Sequence, residues 1–197
     1  MQKLRALINT ACAQRLASDF ILSRVDYCNT VLAGLSSSTL APLQQVLNPA
    51  ARFVVEAISH THGSGIMKSL HWLPIAYRIR FKLCVLMHRV RNGTSPSYLT
   101  DTKTLISSLP GHCQLHSAMT TEYDIPCTRT KFGETAFSVA GPCEWNALPA
   151  DTRSITNLLS FKTSHQDILF RIGIFGLNSF TFTNCTMFRA SGQFWGV

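Results

Sequence analysis

Acid is what this sequence has least of. Ten Asp and Glu stand among 197 residues against eighteen Lys and Arg, a formal charge of +8. Such an imbalance favours a polyanionic partner and carries no information about the fold. Long apolar runs are missing too. The uncharged stretch 27–51 is full of Ser, Asn and Gln, and 172–188 is broken by Gly173, Gly176, Asn178 and Ser179. A membrane span needs about 20 predominantly apolar residues, so no membrane partner is expected. The opening Met1-Gln2-Lys3 has no apolar segment of the signal-peptide kind, which points to a nucleocytoplasmic rather than a secreted setting.

Cysteine pairing is absent as a pattern. Seven cysteines, at 12, 28, 84, 113, 127, 143 and 185, are odd in number and scattered, which argues against a disulfide framework. Only Cys113 and His116 have metal-ligand spacing, with Cys127 and Cys143 as distant partners. A structural zinc site normally shows two close pairs, so no metal and no cofactor are expected. The chain also lacks adjacent aspartates, G-x-x-x-x-G-K-[ST], G-x-G-x-x-G, G-x-S-x-G and H-E-x-x-H. Its closest carboxylates are Glu122 and Asp124, too few for the cluster that two-metal phosphoryl transfer requires. The expectation is a chain that is not an enzyme by itself.

What is present is enough apolar material for a core. Hydrophobic residues make up 46% and charged residues 14%, with a mean hydropathy of +0.12, which excludes disorder as the dominant state. The period is helical. Ile21, Val25, Cys28, Leu32 and Leu35 predict one helix, started by Ser18 or Asp19 and stopped by Gly34. A second follows Ser36, with Leu40, Leu43, Leu47, Ala51, Val54 and Ile58 as its stripe and Pro49 interrupting it. Pro74 opens a third that ends near Asn92 and Gly93. Its Ile75, Ile79, Leu83, Leu86 and Val90 lie on one side, and Tyr77, Phe81, Cys84 and His88 lie nearly opposite, so it is expected to be covered on two faces. Residues 103–129 read as a loop, 125–131 as a short strand. Phe137 to Trp145 predicts a helix disturbed by Pro142. Leu158, Phe161, His165, Ile168 and Leu169 predict a last one.

The cations are concentrated. No acid falls between Glu56 and Asp101, while Lys68, Arg78, Arg80, Lys82, Arg89 and Arg91 all do. Arginine forks onto phosphate oxygens and stacks on bases, and His71, Trp72, Tyr77 and His88 lie among these residues as stacking partners. The six are the candidate nucleic-acid contacts. A plainer reading has equal standing at this point: a two-sided helix places long cationic side chains at its seams so that stems pack and heads reach water. Trp72 and Trp145 read as core anchors.

Several blocks then carry a resemblance: Ser23-Arg24-Val25-Asp26-Tyr27-Cys28-Asn29, Leu70-His71-Trp72-Leu73-Pro74, Arg78 with Phe81-Lys82, and Ser95-Pro96-Ser97-Tyr98-Leu99. Further on come Ala136-Phe137-Ser138-Val139-Ala140, Trp145-Asn146-Ala147-Leu148-Pro149, Arg153 and Phe161-Lys162. In order and spacing they resemble the C-terminal region of the reverse transcriptase of LINE-type non-LTR retrotransposons, of the Jockey, CR1 and Rex kind, over roughly residues 1–170. The resemblance implies a thumb and the post-polymerase region, which hold RNA template and nascent DNA, with Arg78, Arg80, Lys82, Arg89 and Arg91 on the backbone. The palm's paired aspartates have no counterpart, and upstream polymerase domains are the implied missing partners. Pro49 stands where the family has a good helix former, and the tail after Arg171 looks unrelated, which suits a decayed copy.

The expected fold is therefore mainly α, an irregular helical bundle with a long loop and room for one short strand pair. The expected organisation is a thumb-like region 1–102, a linker 103–130, a small helical region 131–170 and a tail 171–197. The expected function is that of a catalytically silent remnant with residual, sequence-independent affinity for RNA or DNA. The rival is a protein-interaction or non-functional fragment with no nucleic-acid role.

Overall fold

The computed structural model describes residues 7–56, 63–101, 103–106 and 121–175, and it is mainly α-helical, an irregular bundle. In chain order its helices are α1 (Thr10–Ala17), α2 (Ser23–Asp26), α3 (Ser37–Val55), α4 (Gly63–Ser69), α5 (Ile75–Arg91), α6 (Ser97–Thr100), α7 (Lys131–Glu134), α8 (Phe137–Asn146), α9 (Ala150–Ser154) and α10 (Leu158–Phe175). A π-helical turn, Ser18–Leu22, joins α1 to α2, and a 3-10 turn, Asn29–Leu32, comes after α2.

Helix α5 is the axis of the bundle, and both of its faces are buried. Ile75, Ile79 and Leu83 join Ala17, Leu47, Ala51, Val54, Met67 and Trp72 in one cluster, supplied by α1, α3, α4 and the segment between α4 and α5. On the other side Cys84, Met87 and Val90 pack with Tyr123, Trp145, Leu148 and Phe161, and Tyr77 packs on Leu169. The segments on either side of the 103–130 stretch thus share one central helix. Burying a large apolar side chain contributes about 1.5–3 kcal/mol, so a helix apolar on two sides is stable only when sandwiched. Trp72 and Trp145 are both core residues.

Three local expectations are corrected. The helix expected to start at Ser18 or Asp19 and stop at Gly34 instead continues from one that starts at Thr10, where Asn9 Oδ1 accepts from the Cys12 N–H at 2.8 Å, and it breaks at Tyr27 and Cys28. Cys28 takes a left-handed conformation, φ +51°, and is exposed. That turn buries Asn29 in place of the stripe's next apolar residue. Pro49 does not interrupt α3, which runs unbroken through both Pro42 and Pro49. Pro49 and Gln45, whose carbonyl it leaves without a donor, are both exposed, so water can take up the lost bond and the cost of an interior proline is reduced. Pro142 likewise sits inside an intact α8.

The strand expected at 125–131 is absent: residues 124–128 have no regular structure, and α7 begins at Lys131. One isolated antiparallel bridge, Leu105 to Tyr123, lies just upstream. The Asn146 side-chain amide holds that segment as a neighbouring strand would, accepting from Tyr123 N–H at 3.0 Å and donating to Tyr123 O at 2.8 Å. Nearby, Trp145 Nε1–H donates to Thr121 O at 3.0 Å. The last helix continues past Arg171 to Phe175, and at Gly173 it comes close to Tyr77: a Cβ there would meet the ring at 2.7 Å. Cys113, His116 and residues 176–197 lie outside the described residues.

Candidate nucleic-acid interface

The start of α5 is fixed from two directions. Pro74 presets the backbone but caps nothing, and Gln44 Oε1 of α3 accepts the Ile75 N–H at 3.0 Å. At the far end Asn92 Nδ2 donates to Thr156 O at 3.0 Å, and His88 Nε2 and Ile155 O are 2.9 Å apart, an Nε2–H donation. The Gly93 turn, φ +65°, ends the helix. The five cations of α5 are therefore held on a rigid rod, and their fates differ with their neighbours.

Three of them are occupied internally. Arg78 Nη1 reaches both oxygens of Asp26, at 3.0 and 2.8 Å, and its Nε donates to Leu73 O at 2.8 Å. Arg80 Nε lies 3.3 Å from Glu144 Oε1 of α8, with the guanidinium over the Tyr77 ring. Burial pushes the Glu144 carboxyl up, and Arg80 works against that shift. Arg91 Nη1 donates to the Arg153 carbonyl and lies over the indole of Trp145. Arg153 in turn pairs with Glu122 at 3.0 Å.

The remaining candidates face outward. Lys82 and Arg89 are exposed, and their side chains make no hydrogen bond or ion pair with any described residue; Lys68, at the end of α4, is exposed as well. Lys82 and Arg89 are seven residues apart, two turns along one face, about 10.5 Å at 1.5 Å per residue. Alongside runs α10, antiparallel to α5: Phe81 stacks on His165, and His88 stacks on Phe161. Gln166 of α10 borders the same cavity as Lys82. One turn before Gln166 stands Lys162, a cation that the basic interval did not point to, although the block Phe161-Lys162 contains it. Together α5 and α10 carry seven Lys and Arg, five and two, against one acid, Asp167.

Of the four aromatic residues interleaved with the cations, only His71 is open. It stacks on Phe170 at 5.2 Å between ring centroids, whereas Trp72, Tyr77 and His88 are buried. Among the described residues no group of three or more His, Cys, Asp or Glu could hold a metal ion, and no helix is long and apolar enough to cross a membrane. Glu122 is engaged by Arg153 and Asp124 is exposed. No family model matches the chain, and neither does any curated protein or solved structure.

Proposed function

We propose that this chain is a helical piece of a non-LTR retrotransposon reverse transcriptase, silent in catalysis by itself, that binds RNA or DNA through the backbone. Lys82, Arg89 and Lys162, on the shared side of α5 and α10, make the contacts. The observation that carries the reading is the exposed pair Lys82 and Arg89, unneutralised on a helix that contains no acid. Their spacing of about 10.5 Å corresponds to about three nucleotide steps of 3.4 Å on one strand. Contacts of this kind are indifferent to sequence.

Titration of a labelled RNA–DNA hybrid at about 50 and 200 mM salt tests the reading. Two or three neutralised phosphates give a slope of log affinity against log salt of about −2 to −3, a loss of roughly 10- to 40-fold between those conditions. Six contacts would give a slope near −5 and a loss of about a thousandfold. Absence of binding at the lower salt refutes the reading. Retention of full affinity by a Lys82→Glu, Arg89→Glu double variant refutes the assignment of the face.

A second reading is favoured by a different observation. Phe20, Tyr27 and Val31, close together in the chain, are 71%, 79% and 75% exposed, and clustered apolar exposure marks protein contact. That surface suits another protein segment, such as the upstream polymerase domains. A well-dispersed monomer at high concentration counts against it.

A further inference from the structure

We infer that the cavity where α5, α10 and the turn after α2 meet is a binding site for a single phosphate group. It encloses about 220 Å³ and is bordered by Asp26, Asn29, His71, Arg78, Lys82 and Gln166, with Leu73 and Phe81 as its apolar walls. That is below the roughly 300–1,000 Å³ of a drug-sized pocket, so it admits a small polar group and little beyond it.

The polar groups converge from three sides and are chiefly donors. Arg78 is held by three hydrogen bonds through Nε and Nη1, and Nη2 makes none with a described residue. A guanidinium already locked in place loses little freedom on binding an anion. Lys82, one turn further along α5, adds an ammonium, and Gln166 an amide from α10. Asp26 offsets Arg78, which leaves the charge of Lys82 unbalanced among the lining residues. Donors arriving from separate elements suit a tetrahedral oxyanion better than a planar carboxylate, which prefers the paired edge of one guanidinium.

Two further features lie at the border of this cavity. Asn29 is 4% exposed, and its Oδ1 has no hydrogen-bond partner among the described residues. Buried polar atoms in folded proteins are nearly always paired; this oxygen is an acceptor, so the groups that could donate to an anion in the cavity are those of Arg78, Lys82 and Gln166. The second observation is in the backbone. Of the three non-glycine residues with positive φ among those described, Cys28 (+51°) directly precedes Asn29, and His71 (+54°) borders the cavity. Left-handed non-glycine residues are costly and gather at binding sites.

The inference rests on the nucleic-acid reading only for the source of the phosphate, a backbone phosphodiester or a terminal monoester. The full chain, labelled with ¹⁵N, is titrated at low salt with inorganic phosphate, monitoring the Gln166 side-chain amide and the Arg78 Nε–H. Saturable shifts of both are expected. Lys82→Ala should weaken binding about tenfold, and Gln166→Trp, which plugs the cavity without changing charge, should abolish it. Absence of saturable shifts in the wild type overturns the site, as does unchanged phosphate affinity in the exposed Lys82→Ala variant. Oligonucleotides with and without a 5′ phosphate are then added as competitors. Displacement by both identifies the backbone, and displacement by the phosphorylated one alone identifies a terminal monoester. Phosphate that binds while neither oligonucleotide displaces it upholds the site and refutes the nucleic-acid source. Hybrid binding that survives Gln166→Trp with an unchanged salt slope overturns the site as a nucleic-acid subsite and leaves the exposed face standing.

Discussion

Acidification should unfold this protein through His165. The ring is 1% exposed, stacked between Phe81 and Phe161 at 5.6 Å each, and neither nitrogen has a hydrogen bond of normal geometry. Burial drives its pKa down from 6.5 to about 4, and the Arg80 carbonyl pulls weakly the other way. The unfolded chain therefore binds a proton between pH 6.5 and pH 4 that the folded chain refuses, and stability falls as pH drops through that window. A fall of about 2.5 in pKa corresponds to roughly 3.4 kcal/mol once both states are protonated, at 1.36 kcal/mol for each unit. By pH 5 the loss is already about 2 kcal/mol. His88 is shifted in the same direction by burial and adds to the loss, whereas the raised carboxyl of Glu144 acts in the opposite sense. Urea unfolding monitored by far-UV circular dichroism from pH 7.5 to pH 4.5, for wild type and His165→Phe, isolates this contribution. Phenylalanine preserves the stack and removes the proton site, so the variant's stability should decline less by about 2 kcal/mol at pH 5. Parallel profiles for the two proteins would refute the reasoning.

Phe161 is fully buried among His88, Trp145 and His165, so Phe161→Ala should cost about 3–5 kcal/mol, seen as a lower urea midpoint with the slope unchanged. Asp26→Ala removes the charge partner that ties the end of α2 to α5. Charge-assisted hydrogen bonds contribute about 1.5–3 kcal/mol. The Asp26 side chain is 41% exposed, which puts the expected loss at the lower end, with Asp26→Asn recovering part of it. At Gly141 a Cβ would meet Met87 Sδ at 2.9 Å and Phe137 Cε2 at 3.0 Å. Gly141→Ala gains about 1 kcal/mol of helix propensity against an overpacking cost of about 1–3 kcal/mol, so thermal denaturation should show a net loss of about 1 kcal/mol. Arg80→Gln should lower stability while leaving the salt slope of nucleic-acid binding unchanged, because Arg80 is engaged by Glu144.

The central helix was legible in the sequence because two apolar stripes at a helical period have one physical solution, burial on both sides. Ile79 and Cys84 settle its orientation without knowledge of any partner. The Ser36 and Gly93 boundaries were legible for the same reason, being local. Pro49 misled because its cost depends on which face it occupies, and Gln45 and Pro49 share the solvent side. The break at Tyr27 and Cys28 was hidden because Cys28 fits the apolar stripe in spacing and size. Only the environment of Asn29 shows that the chain turns there to bury an amide.

The candidate interface was half legible, and the part that was not comes from long range. An acid-free interval in the sequence is not an acid-free surface. Asp26 lies 52 residues before Arg78, Glu144 lies 64 after Arg80, and the Arg153 carbonyl lies 62 after Arg91. With only ten acids in the chain, the two that engage α5 cations decide which positive charges remain outside. The seam arrangement explains the sorting. Arg78 faces the N-terminal elements, and Arg80 and Arg91 face α8 and α9, so each meets a partner; Lys82 and Arg89 fall where no described residue bonds or pairs with their side chains. The internally held arginines pin the rod to its neighbours, and that fixed geometry keeps the two outward cations about 10.5 Å apart. Held and outward-facing charges are thus divided along one helix by what packs beside each turn, a division that residue type and spacing alone do not encode.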